Sequence, residues 1–314
     1  MRCRIPSRLV GAGLQEGGKL HRQDRHEVIG VVHPGIHCEL AHRPMANRMS
    51  DPVSPRAAAP VRIGCAGWAI PSQHAHLFGE GDSHLARYAT RFDVAEINST
   101  FYRPHQLRTF ERWAASVPAR FRFSAKLPKW ITHEARLYGT GDALTAFFDG
   151  IGGLGAKFGG VLVQLPPSLA FDARLADRFF AMLRRRCAAR IACEPRHASW
   201  FGPEADRIWT RYAIARAAAD PALMAAAALP ADGAREARWS YWRWHGAPRM
   251  YYSRYDDDAL QRLAHALVRE GRTRAPSWCL LDNTAHGHAV EDAARLQDAV
   301  SEARRHFGFS RSGR

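Results

Sequence analysis

The groups in this sequence that could do proton chemistry are Glu96, Glu194 and His245, each at the end of a short apolar run. Glu96 sits in Val94-Ala-Glu-Ile97 and is followed by Asn98, Ser99, Thr100, Tyr102 and Arg103, far more polar and aromatic groups than a connecting turn needs. Glu194 follows Arg190-Ile-Ala-Cys193 and opens Glu-Pro-Arg-His197. His245 closes Trp239-Ser-Tyr-Trp-Arg-Trp244 and precedes Gly246, which leaves the backbone open to close approach. Two carboxyl groups and an imidazole are the side chains of general acid–base catalysis. Burial without a partner would raise the pKa of Glu96 and suit it to proton transfer near neutrality; the competing reading is a structural acid paired with Arg103 or Arg196.

Around these three the sequence offers binding groups. Glu194 and Arg196 alternate along an extended segment and point the same way, so Arg196 could hold an anion or clamp the carboxylate, while His197 turns aside. Lys126, at the end of Arg120-Phe-Arg-Phe-Ser-Ala125, could neutralise a phosphate or form a Schiff base, against the commoner salt bridge. Arg243 adds a third cation. Trp68 and Tyr102 could stack on a base or sugar face, with aromatic packing as the alternative. Asn98, Gln164, Asp282 and Asn283 complete the expected binding set.

These residues need a frame that brings distant strand ends together. From Val61 eight apolar runs recur: Val61–Ala66, Val94–Ile97, Arg120–Ala125, Gly160–Leu165, Arg190–Cys193, Ala213–Ala218, Trp239–Trp244 and Trp278–Leu281. Amphipathic segments of helical length lie between most of them, at His84–Arg91, Leu107–Ser116, Asp142–Lys157, Arg174–Arg186, Glu204–Tyr212, Asp257–Glu270 and Glu291–Phe307. Alternating strand and helix implies parallel pairing, and eight units in roughly 250 residues predict a TIM-type (β/α)8 barrel. Two units are irregular: Pro221–Arg238 shows no clear helix, and Tyr241–Trp244 is aromatic on both faces. A parallel barrel gathers its C-terminal strand ends at one mouth, where all the residues above would meet.

Charge and composition narrow the partners. The chain carries a net +15; the 36 Lys/Arg and 25 Asp/Glu of residues 61–314 leave +11 on the barrel itself, which favours anionic partners, whether a small phosphorylated or polyhydroxylated molecule or nucleic acid. The plainer reading is arginine on solvated helix faces. No apolar stretch approaches the ~20 residues of a membrane span. Six cysteines without CxxC spacing fit reduced, core-filling thiols and a cytoplasmic protein. Glu96, Glu194, Asp220, His197, His245 and Asp282 include enough donors for a divalent ion but lack tight ligand spacing, so no metal ligands are assigned, and no cofactor motif occurs. Residues 1–58 lack periodicity, end in the linker Asp51–Pro60 and show no secretory pattern. They read as a disordered tail or an upstream stretch translated from a misassigned start, with Met45 or Met49 as the true one; His33, His37, Cys38 and His42 there lack a metal-binding framework. The barrel domain is expected over 59–309, with a short tail at 310–314.

Gly64-Cys-Ala-Gly-Trp68, Glu96-Ile-Asn-Ser-Thr-Phe-Tyr-Arg103, Ile131-Thr-His133, Gln164-Leu-Pro-Pro167, Glu194-Pro-Arg-His-Ala-Ser-Trp200 and His245-Gly246 resemble, in order, the motifs of the domain-of-unknown-function 72 family, also called YecE-like. The resemblance covers about residues 61–307 and implies a TIM-barrel-like fold in a family without an established reaction. The chain departs from the family at Pro195, where phenylalanine is usual, and at Leu281-Asp282-Asn283-Thr284, where Phe-Asn-Asn-Asp is common. The expected activity is acid–base chemistry by Glu96 and Glu194 on a small anionic or polyhydroxylated substrate, with a nucleic-acid-associated role as the alternative.

Overall fold

A computed structural model describes residues 59–230, 239–271 and 276–306; the expectations for residues 1–58 and 310–314 lie outside them. The strands are β1 Val61–Ala66, β2 Val94–Ile97, β3 Arg122–Lys126, β4 Phe158–Gln164, β5 Arg190–Glu194, β6 Ile214–Arg216, β7 Ala218–Asp220, β8 Ser240–Trp244 and β9 Ser277–Leu281. Every pairing is parallel, and the sheet order is β6-β5-β4-β3-β2-β1-β9-β8-β7. The two edges are consecutive in sequence. β6 pairs with β5, the Ala217 amide still bonds the Cys193 carbonyl, and β7 then pairs with β8. One stretch of seven residues, Ile214–Asp220, thus hands the chain from one edge to the other and nearly closes the barrel.

The irregular unit therefore lies at the Ala213–Ala218 run and not at β8, which pairs along its length with β9 and over three residues with β7. Aromatic residues on both of its faces reflect burial on both faces, as expected of a central parallel strand. After β7 the described part of the Pro221–Arg238 connection holds only the short turn Ala225–Ala228.

The helices are α1 His84–Tyr88, α2 Leu107–Ala115, α3 Gly141–Ile151, α4 Ala173–Arg186, α5 Pro203–Arg211, α6 Asp257–Gly271 and α7 His288–His306. Local chemistry starts several of them: the Ser83, Asp172 and Asp256 side chains accept the amides of Ala86, Leu175 and Ala259, and proline opens α5. Their apolar faces bury two clusters against the outside of the barrel. None of the described helices is long and apolar enough to cross a membrane. Cys65, Cys187, Cys193 and Cys279 are buried free thiols.

A third cluster fills the barrel itself, with Val94, Leu162, Ala192, Ala215, Ala217, Trp239, Tyr241, Trp278 and Leu280. Trp239 and Trp278 pack edge to face at 5.1 Å. They fit because β4 begins with glycines: a Cβ on Gly159 would lie 2.3 Å from the Trp278 ring, and one on Gly160 would lie 2.8 Å from both the Trp239 ring and the Arg190 carbonyl. Gly160→Ala is expected to lose about 1–3 kcal/mol by overpacking. Gly152→Ala, which meets nothing within 4 Å, should stay within about 0.5 kcal/mol of wild type. Urea unfolding of the pair checks this.

Candidate functional site

Above the apolar plug each inner-facing strand takes one more step of two residues, and that step is polar. Val94 leads to Glu96, Ser124 to Lys126, Leu162 to Gln164, Ala192 to Glu194, Tyr241 to Arg243 and Leu280 to Asp282. Period-two alternation keeps each pair on one face of its strand, so closing the barrel brings the six polar side chains to its C-terminal mouth.

Arg243 is fully buried at the centre. Its Nε and Nη2 donate to the two oxygens of Glu96 at 3.0 and 2.7 Å, its Nη1 donates to Glu194 at 2.8 Å, and Nη2 also reaches Asp282 at 2.9 Å. Glu96 accepts a further bond at 2.8 Å from the Tyr241 hydroxyl, which lies 2.7 Å from Ser124 Oγ. Gln164 donates to Glu194 at 3.3 Å. Burial alone would lower the pKa of Arg243, but Glu96, Asp282 and Glu194 raise it well above its ordinary value.

His245, also fully buried, continues the cluster. Its Nδ1 lies 3.0 Å from Asp282 Oδ2, and its Nε2 lies 3.0 Å from Glu194 Oε1 and 2.7 Å from Arg196 Nη2. Arg196 is ion-paired with Glu194 and remains partly exposed. Burial pushes the Glu194 carboxyl up, yet Arg196, Arg243 and His245 together hold it well below the usual carboxylate range; Asp282 is lowered in the same way, chiefly by Arg243 and His245 against its burial.

Lys126 stands apart. It is buried, its ammonium lies 4.0 Å from the centre of the Phe101 ring, and it forms no hydrogen bond or ion pair with the described residues. Burial first, and Arg243 second, push its pKa down to about 8, although Glu96, Glu194 and Asp282 pull the other way.

Glu96, Gln164, Glu194, Arg196, Arg243, His245 and Asp282 are thus brought into one bonded cluster, with Lys126 in its field. Several expectations need correction. Glu96 is not a solvated acid, and its partner is neither Arg103 nor Arg196: it is wholly buried and held by Arg243. Arg243 spends its donors on three carboxylates and is not positioned to hold a substrate anion. Lys126 has no salt bridge among the described residues. Trp68 packs edge to face on Trp113 and Phe123, at 5.0 and 6.2 Å, in the layer beneath α2. Its bulk found a better apolar partner in that layer than at the mouth. His197 accepts the Ser199 amide and so starts the turn Ala198–Phe201. Asn283 donates to the Ser253 carbonyl and to Asp292, tying the end of β9 to α7. Tyr102 is 73% exposed, edge-on to Phe101. Asn98, beside it in the turn after β2, has a buried side-chain oxygen without a hydrogen-bond partner. Gly246 has φ +93°, and a Cβ there would meet the Ser253 carbonyl at 2.7 Å, so the chain itself, and not a ligand, fills the space.

The donors that could serve a divalent ion are engaged elsewhere. Asp220 accepts from the Tyr255 hydroxyl, His197 caps its turn, and the carboxylates of Glu96, Glu194 and Asp282 converge on a guanidinium. Among the described residues no set of His, Cys, Asp or Glu is arranged to hold an ion. The Tyr241–Ser124 hydroxyl pair was missed from sequence; its signal was the two-residue spacing of Tyr241 and Arg243 in a strand with both faces buried.

The fold and this cluster define a parallel α/β barrel of the TIM type with charged groups buried at its C-terminal mouth. The chain belongs to the family described as "Protein of unknown function DUF72", whose model matches residues 62–312. It is 30% identical to the UPF0759 protein YecE of Escherichia coli (strain K12) over 106 residues, 34% of this chain and 38% of that protein. It is 25% identical to the UPF0759 protein YunF of Bacillus subtilis (strain 168) over 154 residues, 46% of this chain and 53% of that one. These matches span between about a third and just over half of the relatives' length. DUF72 family proteins of known structure from Enterococcus faecalis V583 and Thermotoga maritima MSB8 each superpose with a TM-score of 0.64 at 20% identity, covering 77% of this chain and 95% and 99% of theirs. They establish the shared fold.

The two buried cations should respond oppositely to removal. Arg243→Met takes from Glu96 its ion-pair partner and from Glu194 and Asp282 one of theirs, and is expected to cost about 3–5 kcal/mol. Lys126→Met removes an unpaired amine whose charged form burial penalises, and should raise stability, by about 1–3 kcal/mol. The folded-state pKa of Lys126 is depressed, so the unfolded chain binds the extra proton between about pH 8 and 10.5; the wild type should therefore gain stability relative to Lys126→Met as pH rises through that window. Denaturant melts at several pH values check both signs.

Proposed function

We propose that this protein is an enzyme that moves a proton to or from a small anionic substrate at the barrel mouth. The observation carrying this reading is the chain Asp282–His245–Glu194, in which each ring nitrogen lies 3.0 Å from a carboxylate oxygen. Asp282 takes the Nδ1 hydrogen and fixes the ring, leaving Nε2 directed at Glu194 and Arg196 as the proton-transfer atom. Such a group contributes about 10²–10⁴-fold to rate. Glu96, locked on Arg243, positions the cluster.

Arg196 is the anion holder in this reading. Its Nε is buried without a partner, and only its Nη2 is engaged by Glu194 and His245. Lys126 supplies a second positive charge and Tyr102 an exposed ring at the rim. The second reading, a nucleic-acid end received at the mouth, draws on the +15 charge and on exposed Tyr102.

Thermal denaturation with inorganic phosphate, sugar phosphates, small carboxylates and a short single-stranded oligonucleotide separates the two. An anion at about 100 times its Kd should raise the Tm by about 5–10 °C, and Arg196→Met, whose own unliganded Tm falls with the loss of its ion pair to Glu194, should lose the shift. A shift retained in Arg196→Met, or none from any small anion, overturns the proposal. Stabilisation by the oligonucleotide alone, falling steeply with salt, supports the second reading instead.

A further inference from the structure

Lys126 is an unusual choice in this chain. The sequence has 45 cationic residues, of which only Lys19, Lys126, Lys129 and Lys157 are lysines. Lys157 donates to the Ala114 and Val117 carbonyls, within and just past the last turn of α2, and Lys129 is an exposed partner of Glu134. Among the described residues, Lys126 alone of these three lysines has an ammonium without a hydrogen bond or ion pair, and the residue is 5% exposed. Arginine would hold an anion better, through a planar fork that keeps its charge. What lysine offers, and arginine does not, is an amine that can lose its proton and attack carbon.

The surroundings suit that role. Phe101 supports the amine from one side at 4.0 Å and is itself held edge to face by His133 and Tyr102, each at 5.0 Å. The Lys126 main-chain carbonyl is pinned by Thr100 Oγ1 at 2.7 Å. The stem is therefore fixed at the end of β3, on the strand face that also carries Ser124. With the pKa lowered to about 8, about a quarter of the amine is unprotonated near pH 7.5, against about one part in a thousand for an ordinary lysine.

We propose that Lys126 is a carbonyl-reactive catalytic residue, condensing with the aldehyde or ketone carbon of a small substrate whose carboxylate or phosphate is held by Arg196. The inference deepens the reading of the mouth as the reaction site and rests on it. The neutral amine attacks the carbonyl carbon, a C–N bond forms, and the carbonyl oxygen leaves as water with the two amine protons, giving an imine. Protonation of the imine nitrogen makes the adjacent carbon a better site for loss of a proton or a carbon substituent, and the proposed function gives the proton transfer to His245. Addition of water reverses the linkage and restores the amine, so no oxidant or reductant is consumed.

Reductive trapping tests it. The full chain is incubated near pH 7.5 with glyoxylate, pyruvate or glyceraldehyde 3-phosphate and sodium cyanoborohydride, which reduces an imine to a stable secondary amine, and the adduct is located by mass spectrometry. The expected result is one adduct per chain on Lys126, formed at least about tenfold faster than on Lys129 or Lys157, with a rate rising through about pH 8 instead of near 10. Labelling of Lys126 no faster than of Lys129, with all three carbonyl compounds, overturns the proposal. Its failure and that of the anion reading are distinguishable. Anion-dependent stabilisation without trapping rejects the imine and keeps the acid–base site; trapping without such stabilisation keeps the imine and rejects Arg196 as the holder.

Discussion

A guanidinium with no access to water, bound by two carboxylates from other strands and a third just past the end of β9, is the interaction around which the mouth of this barrel is arranged. Stripping Arg243 and Glu96 of hydration is expensive, and only close, multiple, charge-assisted bonds recover that free energy. The structure supplies them: both Glu96 oxygens engage the guanidinium, Glu194 takes a third bond, Asp282 a fourth, and Tyr241 satisfies Glu96 further. The cluster is thus a registration device as well as a source of charge, since it forms only when β2, β5, β8 and the end of β9 are at their correct heights.

That device divides the mouth into a fixed floor and a more open rim. Glu96, Arg243 and Asp282 belong to the floor, where every charge is answered. Lys126, Arg196 and Asn98 belong to the rim, where, among the described residues, polar atoms are left over: an ammonium without a bonded partner, a buried Nε and a buried amide oxygen. Unanswered buried polar groups reduce stability and are retained where something other than stability is at stake. His245 joins the two zones, with Nδ1 on the floor at Asp282 and Nε2 at the rim beside Arg196.

The barrel beneath is built to let this happen. Trp239 and Trp278 fill its lower interior, glycines at the start of β4 make room for them, and small alanines at positions 192, 215 and 217 line the opposite wall. The handover from β6 to β7 within one short stretch closes the sheet where the strands are shortest. Closure matters to the chemistry because an open sheet would put β5 and β8 at separate edges, and Glu194 could not then reach Arg243.

How much of this the sequence determined by itself follows from the range of each interaction. Strand runs, helix faces and caps depend on neighbours two to four residues away, so the alternation of short apolar runs with amphipathic segments specified the barrel, and polar residues after those runs specified its functional end. Membership of the DUF72 family was legible for the same reason, through motifs at the strand ends. Partner choice was not. Glu96 and Arg243 are 147 residues apart, Glu194 and Arg243 are 49 apart, and Asp282 and Arg243 are 39 apart; nothing local distinguishes Arg243 from Arg103 or Arg196 as the counter-ion of Glu96. Trp68, His197 and Asn283 carry suitable side chains yet turn to helix packing, a turn and a helix anchor, because the nearest satisfied partner in three dimensions lay there. The state of Lys126 was the least accessible to sequence, since a lowered amine pKa is a property of what surrounds it: an enclosing barrel, a guanidinium nearby and no bonded anion.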